Sequence, residues 1–254
     1  MELQGKIAIV TGAGSGLGRA TCEALQAGGA TVFGFERDEA RLPVLREAGI
    51  QAVQVDVASE TSVRDAIAYV TSRTGALHVS VNCAGILRAA KTVSRGTVFP
   101  LQDWNDVIAV NLTGTFNVVR FAALAMSNNA PDANTGERGV IVNVASGAAT
   151  QGQVGQAAYS ASKAGVMGMT LPVARDLAEH AIRVVAVAPG LFDTAMAAGM
   201  PDKVSEAIID RMVLYPKRRG RPEEFGRLVR HIVENEYLNA TMLDIDAGTR
   251  TTPR

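Results

Sequence analysis

Residues 6–37 read KIAIVTGAGSGLGRATCEALQAGGATVFGFER. The run KIAIV is β-branched and apolar without alternation, the pattern of a strand covered on both faces. A turn follows, punctuated by Gly12, Gly16 and Gly18, and opens a helix predicted near 17–28. Glycines at such spacing let the chain turn tightly and bring backbone close to a pyrophosphate, whose charge the helix N-terminus stabilises. Glycine-rich turns are common without any ligand, so the context decides: strand before, helix after, and an acid, Glu36, at the end of the second strand. A carboxylate there accepts hydrogen bonds from the adenosine ribose and repels a 2′-phosphate, which favours NAD over NADP. Arg37 beside it either holds a 2′-phosphate or lies solvated at the approach to the next helix.

The same unit recurs along the chain. TVFGF, QAVQV, HVSVN, GVIVNV, IRVVAVA and TMLDI read as strands, with helices near 60–73, 102–128, 159–180 and 222–234 between them. Repeated βα units joined by right-handed crossovers predict an α/β Rossmann fold, a doubly wound parallel sheet of about seven strands with helices on both faces. Residues 1–254 are expected to form a single domain. Segments 87–103 and 127–139 are rich in turn formers and read as loops, as does 188–204, the core of a substrate loop placed at about 188–215.

Composition narrows the partners. Lys plus Arg equals Asp plus Glu at 25 each, so no global field draws the chain to nucleic acid or an anionic membrane. Cys22 and Cys83 form neither a disulfide framework nor a metal cluster, and no metal is expected. The first strand starts at residue 6, leaving no room for a leader, and no apolar run approaches the ~18 residues of a membrane span, so a cytoplasmic protein is expected.

Chemistry concentrates in AAYSASKAG (157–165), where Tyr159 and Lys163 are the only large side chains. Four residues apart on a helix, they share a face. A phenol titrates near ~10, and a neighbouring ammonium favours its anion, so the pair suits proton exchange with a substrate hydroxyl. Ser146 ends the strand GVIVNVAS and points into the same crevice, where its hydroxyl can orient a substrate oxygen. Asn111, amid the apolar NDVIAVNLTGTFNVV, is a poor helix former where packing prefers Leu, and is either functional or a satisfied buried amide.

TGAGSGLG, NCAG (82–85), Asn111, Ser146, YSASK and PG (189–190) fall in this order over essentially the whole chain, which thereby resembles the short-chain dehydrogenase/reductase family. The resemblance implies Tyr159 as acid/base, Ser146 orienting the substrate, Lys163 binding nicotinamide ribose and lowering the phenol's pKa, and Asn111 holding a water that connects Lys163 to solvent. It implies an NAD site formed by Gly12, Ser15, Gly16, Leu17, Gly18, Glu36, Asp56, Val57, Cys83, Ala84, Gly85, Pro189, Gly190, Phe192 and Thr194, together with Tyr159 and Lys163. Two positions depart from the family pattern: Cys83 replaces the second Asn of NNAG, and Glu36 stands where NAD-preferring members mostly carry Asp.

Within the family, NLTGTFNVVR, GERGVIVNVAS and GQVGQAAYSASKAGVMGMTLPVARDLA resemble the branch that oxidises L-3-hydroxyacyl-CoA to 3-ketoacyl-CoA with NAD in fatty-acid metabolism. Alternatives are an NADPH-dependent 3-ketoacyl-acyl-carrier-protein reductase, a hydroxysteroid dehydrogenase and a non-catalytic scaffold subunit. Gln153 and Gln156 are candidates for the substrate pocket or plain surface residues. YPKRRGR (215–221) either meets coenzyme A phosphates or is a solvated basic turn. The family resemblance also implies a homotetramer built through the long helices.

Overall fold

A computed structural model describes residues 1–194 and 202–251, with backbone only at 202–204. Strands β1 (Ile7–Thr11), β2 (Thr31–Glu36), β3 (Gln51–Gln54), β4 (Val79–Asn82), β7 (Gly139–Val144), β8 (Ile182–Pro189) and β9 (Met242–Ile245) form one seven-stranded sheet. Its order is β3-β2-β1-β4-β7-β8-β9 and every pairing is parallel. The order reverses direction between β1 and β4, and the crevice beyond their carboxyl ends is where such sheets bind ligands.

Both faces of the five inner strands are dry, which explains why these strands lack alternation. One face packs Val10, Val81, Val142 and Val187 against α1 (Gly16–Ala27), α2 (Leu42–Glu47) and α9 (Pro222–Glu234). The other packs Ile9, Ile141 and Val184 against α3 (Glu60–Thr74), α5 (Thr115–Ser127) and α7 (Ala157–Leu177).

The expected helix at 102–128 is one continuous rod of three parts: α4 (Leu101–Ile108), a π-helical turn (Ala109–Gly114) and α5. By length and composition alone residues 101–127 could cross a membrane, although polar side chains interrupt every apolar run within them. Half of the most apolar stretch is buried here, as befits a helix covering a sheet.

Two loop expectations are corrected, and one element was not expected at all. Segment 87–103 contains a hairpin, β5 (Val93–Ser94) with β6 (Thr97–Val98), turning through Arg95 and Gly96, both at positive φ. The substrate loop is not irregular throughout, since α8 (Asp202–Met212) lies within it; residues 195–201 lie outside the described residues. A short helix, α6 (Ala148–Gln151), interrupts the turn between Ser146 and Tyr159. Too few residues separate the turn formers in these segments for periodicity to reveal an element.

Candidate active site

Gly18 explains how α1 sits so near β1. A Cβ there would lie 2.2 Å from the Gly12 carbonyl oxygen, so only glycine permits this approach. Gly16 has φ +51°, and a Cβ on it would meet the Thr194 methyl at 3.1 Å, which places Thr194 at the helix start. A cleft of about 460 Å³ opens there, lined among others by Ser15, Gly16, Arg19 and Thr194. Leu17 packs partly buried against the core below.

Glu36 is buried at the end of β2, and each carboxylate oxygen accepts one backbone N–H, Oε2 from Gly14 and Oε1 from Asp38, both at 2.9 Å. Each oxygen keeps a lone pair for a further donor. The carboxylate is thus fixed against the glycine turn, the arrangement a ribose diol requires. Arg37 is exposed; its carbonyl accepts a bond from Gln54, and its guanidinium has no partner among the described residues.

Around this carboxylate stand the loops following β3 and β4. Asp56 accepts the Ala58 N–H at 2.9 Å, and buried Val57 receives the Asn117 amide on its carbonyl at 3.2 Å. Cys83 is half-buried, its thiol pushed up to about 12 by burial, and therefore stays protonated. The Ala84 N–H donates to Thr11 Oγ1 at 3.0 Å, tying this loop to the end of β1. A Cβ on Gly85 would stand 3.6 Å from Lys163 Nζ.

Tyr159 and Lys163 lie one turn apart on α7. The buried Lys163 ammonium donates to the Val144 carbonyl at 2.6 Å and lies 5.8 Å from the Tyr159 ring centroid. Burial lowers Lys163 to about 8. It pushes the Tyr159 phenol above its ordinary value, and the hydrogen bond with Ser146 works against that rise. The ammonium thus lies beside the phenol ring and is held from the sheet side by the Val144 carbonyl. Ser146 is itself held by the Ala148 N–H, which donates to its hydroxyl at 3.2 Å.

Asn111 sits fully buried in the π-helical turn. Its Oδ1 accepts the Ile86 N–H at 2.8 Å, and its Nδ2 donates to the Ile86 carbonyl at 2.9 Å and to Ser162 Oγ at 3.1 Å. Both amide hydrogens are thus spent on protein groups, so its side chain braces the loop carrying Gly85 against α7.

Pro189 ends β8, and a Cβ on Gly190 would lie 2.8 Å from Asp246 Cα, so this turn packs closely on the segment after β9. The Phe192 ring is buried edge-on against Phe225, centroids 6.3 Å apart. The ring of Phe192, expected at the nicotinamide end, thus packs into the core. Gln153 and Gln156 are half-buried and bonded to one another at 3.0 Å ahead of α7. In YPKRRGR the cations are engaged within the fold: Arg218 grips Glu224 through two bonds of 2.9 and 2.7 Å, Arg219 meets Asp193 at 3.4 Å, and Lys217 donates to the Asp210 carbonyl. Glu224 is held near 2 by these contacts. These contacts tie the basic turn to the fold.

Sequence reasoning missed the Val144 carbonyl, Ile86 and the pair Asp38–Arg41. Main-chain partners leave no trace in residue identity, whereas the Asp-x-x-Arg spacing of 38–41 was available as a signal.

A family model described as short chain dehydrogenase matches residues 6–205. The 3-hydroxyacyl-CoA dehydrogenase type-2 of Homo sapiens is 45% identical, covering 99% of this chain and 98% of its own. A 3-oxoacyl-acyl-carrier-protein reductase of Thermotoga maritima is 36% identical, covering 98% and 99%. The crystal structure of a 3-hydroxyacyl-CoA dehydrogenase type-2 from Mycobacterium avium superimposes with TM-score 0.91 at 35% identity, covering 98% of each chain.

Proposed function

The chain belongs to the short-chain dehydrogenase family, and on that footing we propose that it oxidises L-3-hydroxyacyl-CoA to 3-ketoacyl-CoA, reversibly, with NAD. The convergence of Tyr159, Ser146 and Lys163 beside the glycine turn and Glu36 carries the reaction type. The names of the relatives carry the substrate class, with the 3-hydroxyacyl-CoA dehydrogenase more similar than the acyl-carrier-protein reductase.

A nicotinamide held here would supply the acceptor for the hydride of the carbinol carbon in oxidation and its donor in reduction. Tyr159 moves the proton at the substrate oxygen: it accepts the hydroxyl proton in oxidation and donates one in reduction. Ser146 donates a hydrogen bond to the same oxygen and so fixes it against the phenol. Lys163 holds the ribose next to the ring, while Asn111 braces the loop of Gly85 at its side. Glu36 takes the adenosine diol on its remaining lone pairs, which supports NAD over NADP.

Exposed apolar side chains on the long helices, Phe116, Leu124 and Leu171, support burial against further copies. A homotetramer is the reading, with an expected solution mass four times the 26.6 kDa chain by light scattering. Initial rates with acetoacetyl-CoA test the assignment. Turnover with NADH well above NADPH is expected, whereas turnover of the acyl-carrier-protein thioester with NADPH in preference would overturn it.

A further inference from the structure

Arg41 lies across the glycine turn in a position that the proposed chemistry does not use. Its Nη1 donates to Ser15 Oγ at 2.9 Å, and its Nε pairs with Asp38 Oδ2 at 3.1 Å. Asp38 in turn caps the short turn Glu39–Arg41 by accepting the Ala40 N–H at 3.1 Å, and donates its own N–H to Glu36. One chain of contacts therefore runs from Glu36 through Asp38 and Arg41 to Ser15.

Gly14 measures how close the two ends are. A Cβ built on it would lie 2.7 Å from Glu36 Oε2 and 2.8 Å from Arg41 Cδ. The acid and the stem of the arginine press on the same glycine from two sides. A ribose seated over Gly14 with its diol on Glu36 would present its edge to the Arg41 guanidinium, which is half exposed toward solvent. Arg37, the cation next to the acid in sequence, has no such anchor.

We propose that Arg41 is the specificity-determining residue through which this site tolerates a 2′-phosphate, so that Glu36 and Arg41 together set the ratio of NAD to NADP. The proposal rests on the dinucleotide-site reading above and deepens it. Glu36 repels the 2′-phosphate dianion, and Arg41, whose Nη2 is engaged by neither Ser15 nor Asp38, offers it a permanently charged donor. Discrimination is then a balance in which Arg41, partly offset by its Asp38 partner, opposes Glu36, weaker than an acid alone would give.

The test is calorimetric titration of the full chain with 2′,5′-ADP and 5′-ADP, which requires neither substrate nor turnover. In Glu36→Gln, affinity for 2′,5′-ADP relative to 5′-ADP rises at least ten-fold. The double variant Glu36→Gln/Arg41→Ala loses that gain, and Glu36→Gln/Arg37→Ala keeps it. Survival of the gain without Arg41, or its loss without Arg37, overturns the proposal. With Glu36 intact, Arg41→Ala weakens NADPH at least five-fold more than NADH; equal weakening overturns it as well. Failure of the folded wild-type chain to bind NADH, NADPH or either fragment overturns the dinucleotide reading and this proposal together.

Discussion

The Lys163 ammonium and the Val144 carbonyl meet at 2.6 Å, joining the catalytic face of α7 to the carboxyl end of β7. The bond fixes Lys163 from the sheet side and leaves Tyr159 and Ser146 facing the crevice. Removing the ammonium leaves a buried carbonyl unpaired, a cost of about 1–3 kcal/mol. Lys163→Met is therefore expected to lower thermal stability at neutral pH less than a typical core truncation, because the cost of burying the charge is relieved at the same time, while turnover falls by two orders of magnitude or more. Differential scanning calorimetry and initial rates separate the two effects.

The same burial sets a pH dependence. Lys163 titrates near 8 in the folded chain against an ordinary 10.5. Between these values the unfolded chain binds the extra proton, so stability rises with pH; below about 8 both states are charged and the deficit is complete. The total is on the order of 3 kcal/mol. Tyr159, raised above its ordinary 10.0, acts in the opposite sense only above pH 10. From pH 7.5 to 9.5 the wild-type Tm is expected to climb relative to Lys163→Met, and parallel curves would contradict the assignment.

Ser146→Ala removes the hydroxyl that favours the phenolate and orients the substrate oxygen. Loss of one such donor costs about 10²–10³ in kcat. The expected signature is a fall in kcat of that size with the NADH dissociation constant changed less than three-fold, read by rapid-quench rates and fluorescence titration.

Far from the site, Arg183 and Glu137 form a buried ion pair, and the guanidinium also donates to the carbonyls of Ile232, Leu238 and Val233 at 2.8–2.9 Å. It pins β8 to the end of α9. Glu137→Ala leaves that charge buried without its counter-ion, a loss of about 3–5 kcal/mol. For a chain of this size that corresponds to a Tm lower by roughly 10 °C, with kcat at 20 °C retained.

How much of this was legible follows from which interactions residue identity encodes. The glycine turn, Glu36, Ser146, Tyr159 and Lys163 are defined by side chains at fixed offsets, and the structure brings them to one crevice. The five inner strands were readable because both of their faces are dry and their apolar runs are continuous. What eluded reading depends on the backbone or on partners distant in sequence. Asn111 was visible as an oddity, yet its grip on Ile86 and Ser162 was not. Lys163 was placed on its helix beside Tyr159, yet its bond to the Val144 carbonyl has no sequence mark. The basic turn 215–221 is engaged by Glu224, Asp193 and Ser205, partners that lie outside the run and so left no mark in it.

The proton transfer through Tyr159 is the centre of this account, and Tyr159→Phe tests it most directly, since only the phenol oxygen is removed. Acetoacetyl-CoA reduction with saturating NADH is the measurement, with NADH binding followed in parallel by fluorescence. The account predicts kcat lower by at least about 10³ with NADH still bound. A variant that binds NADH and turns over within ten-fold of wild type would contradict it.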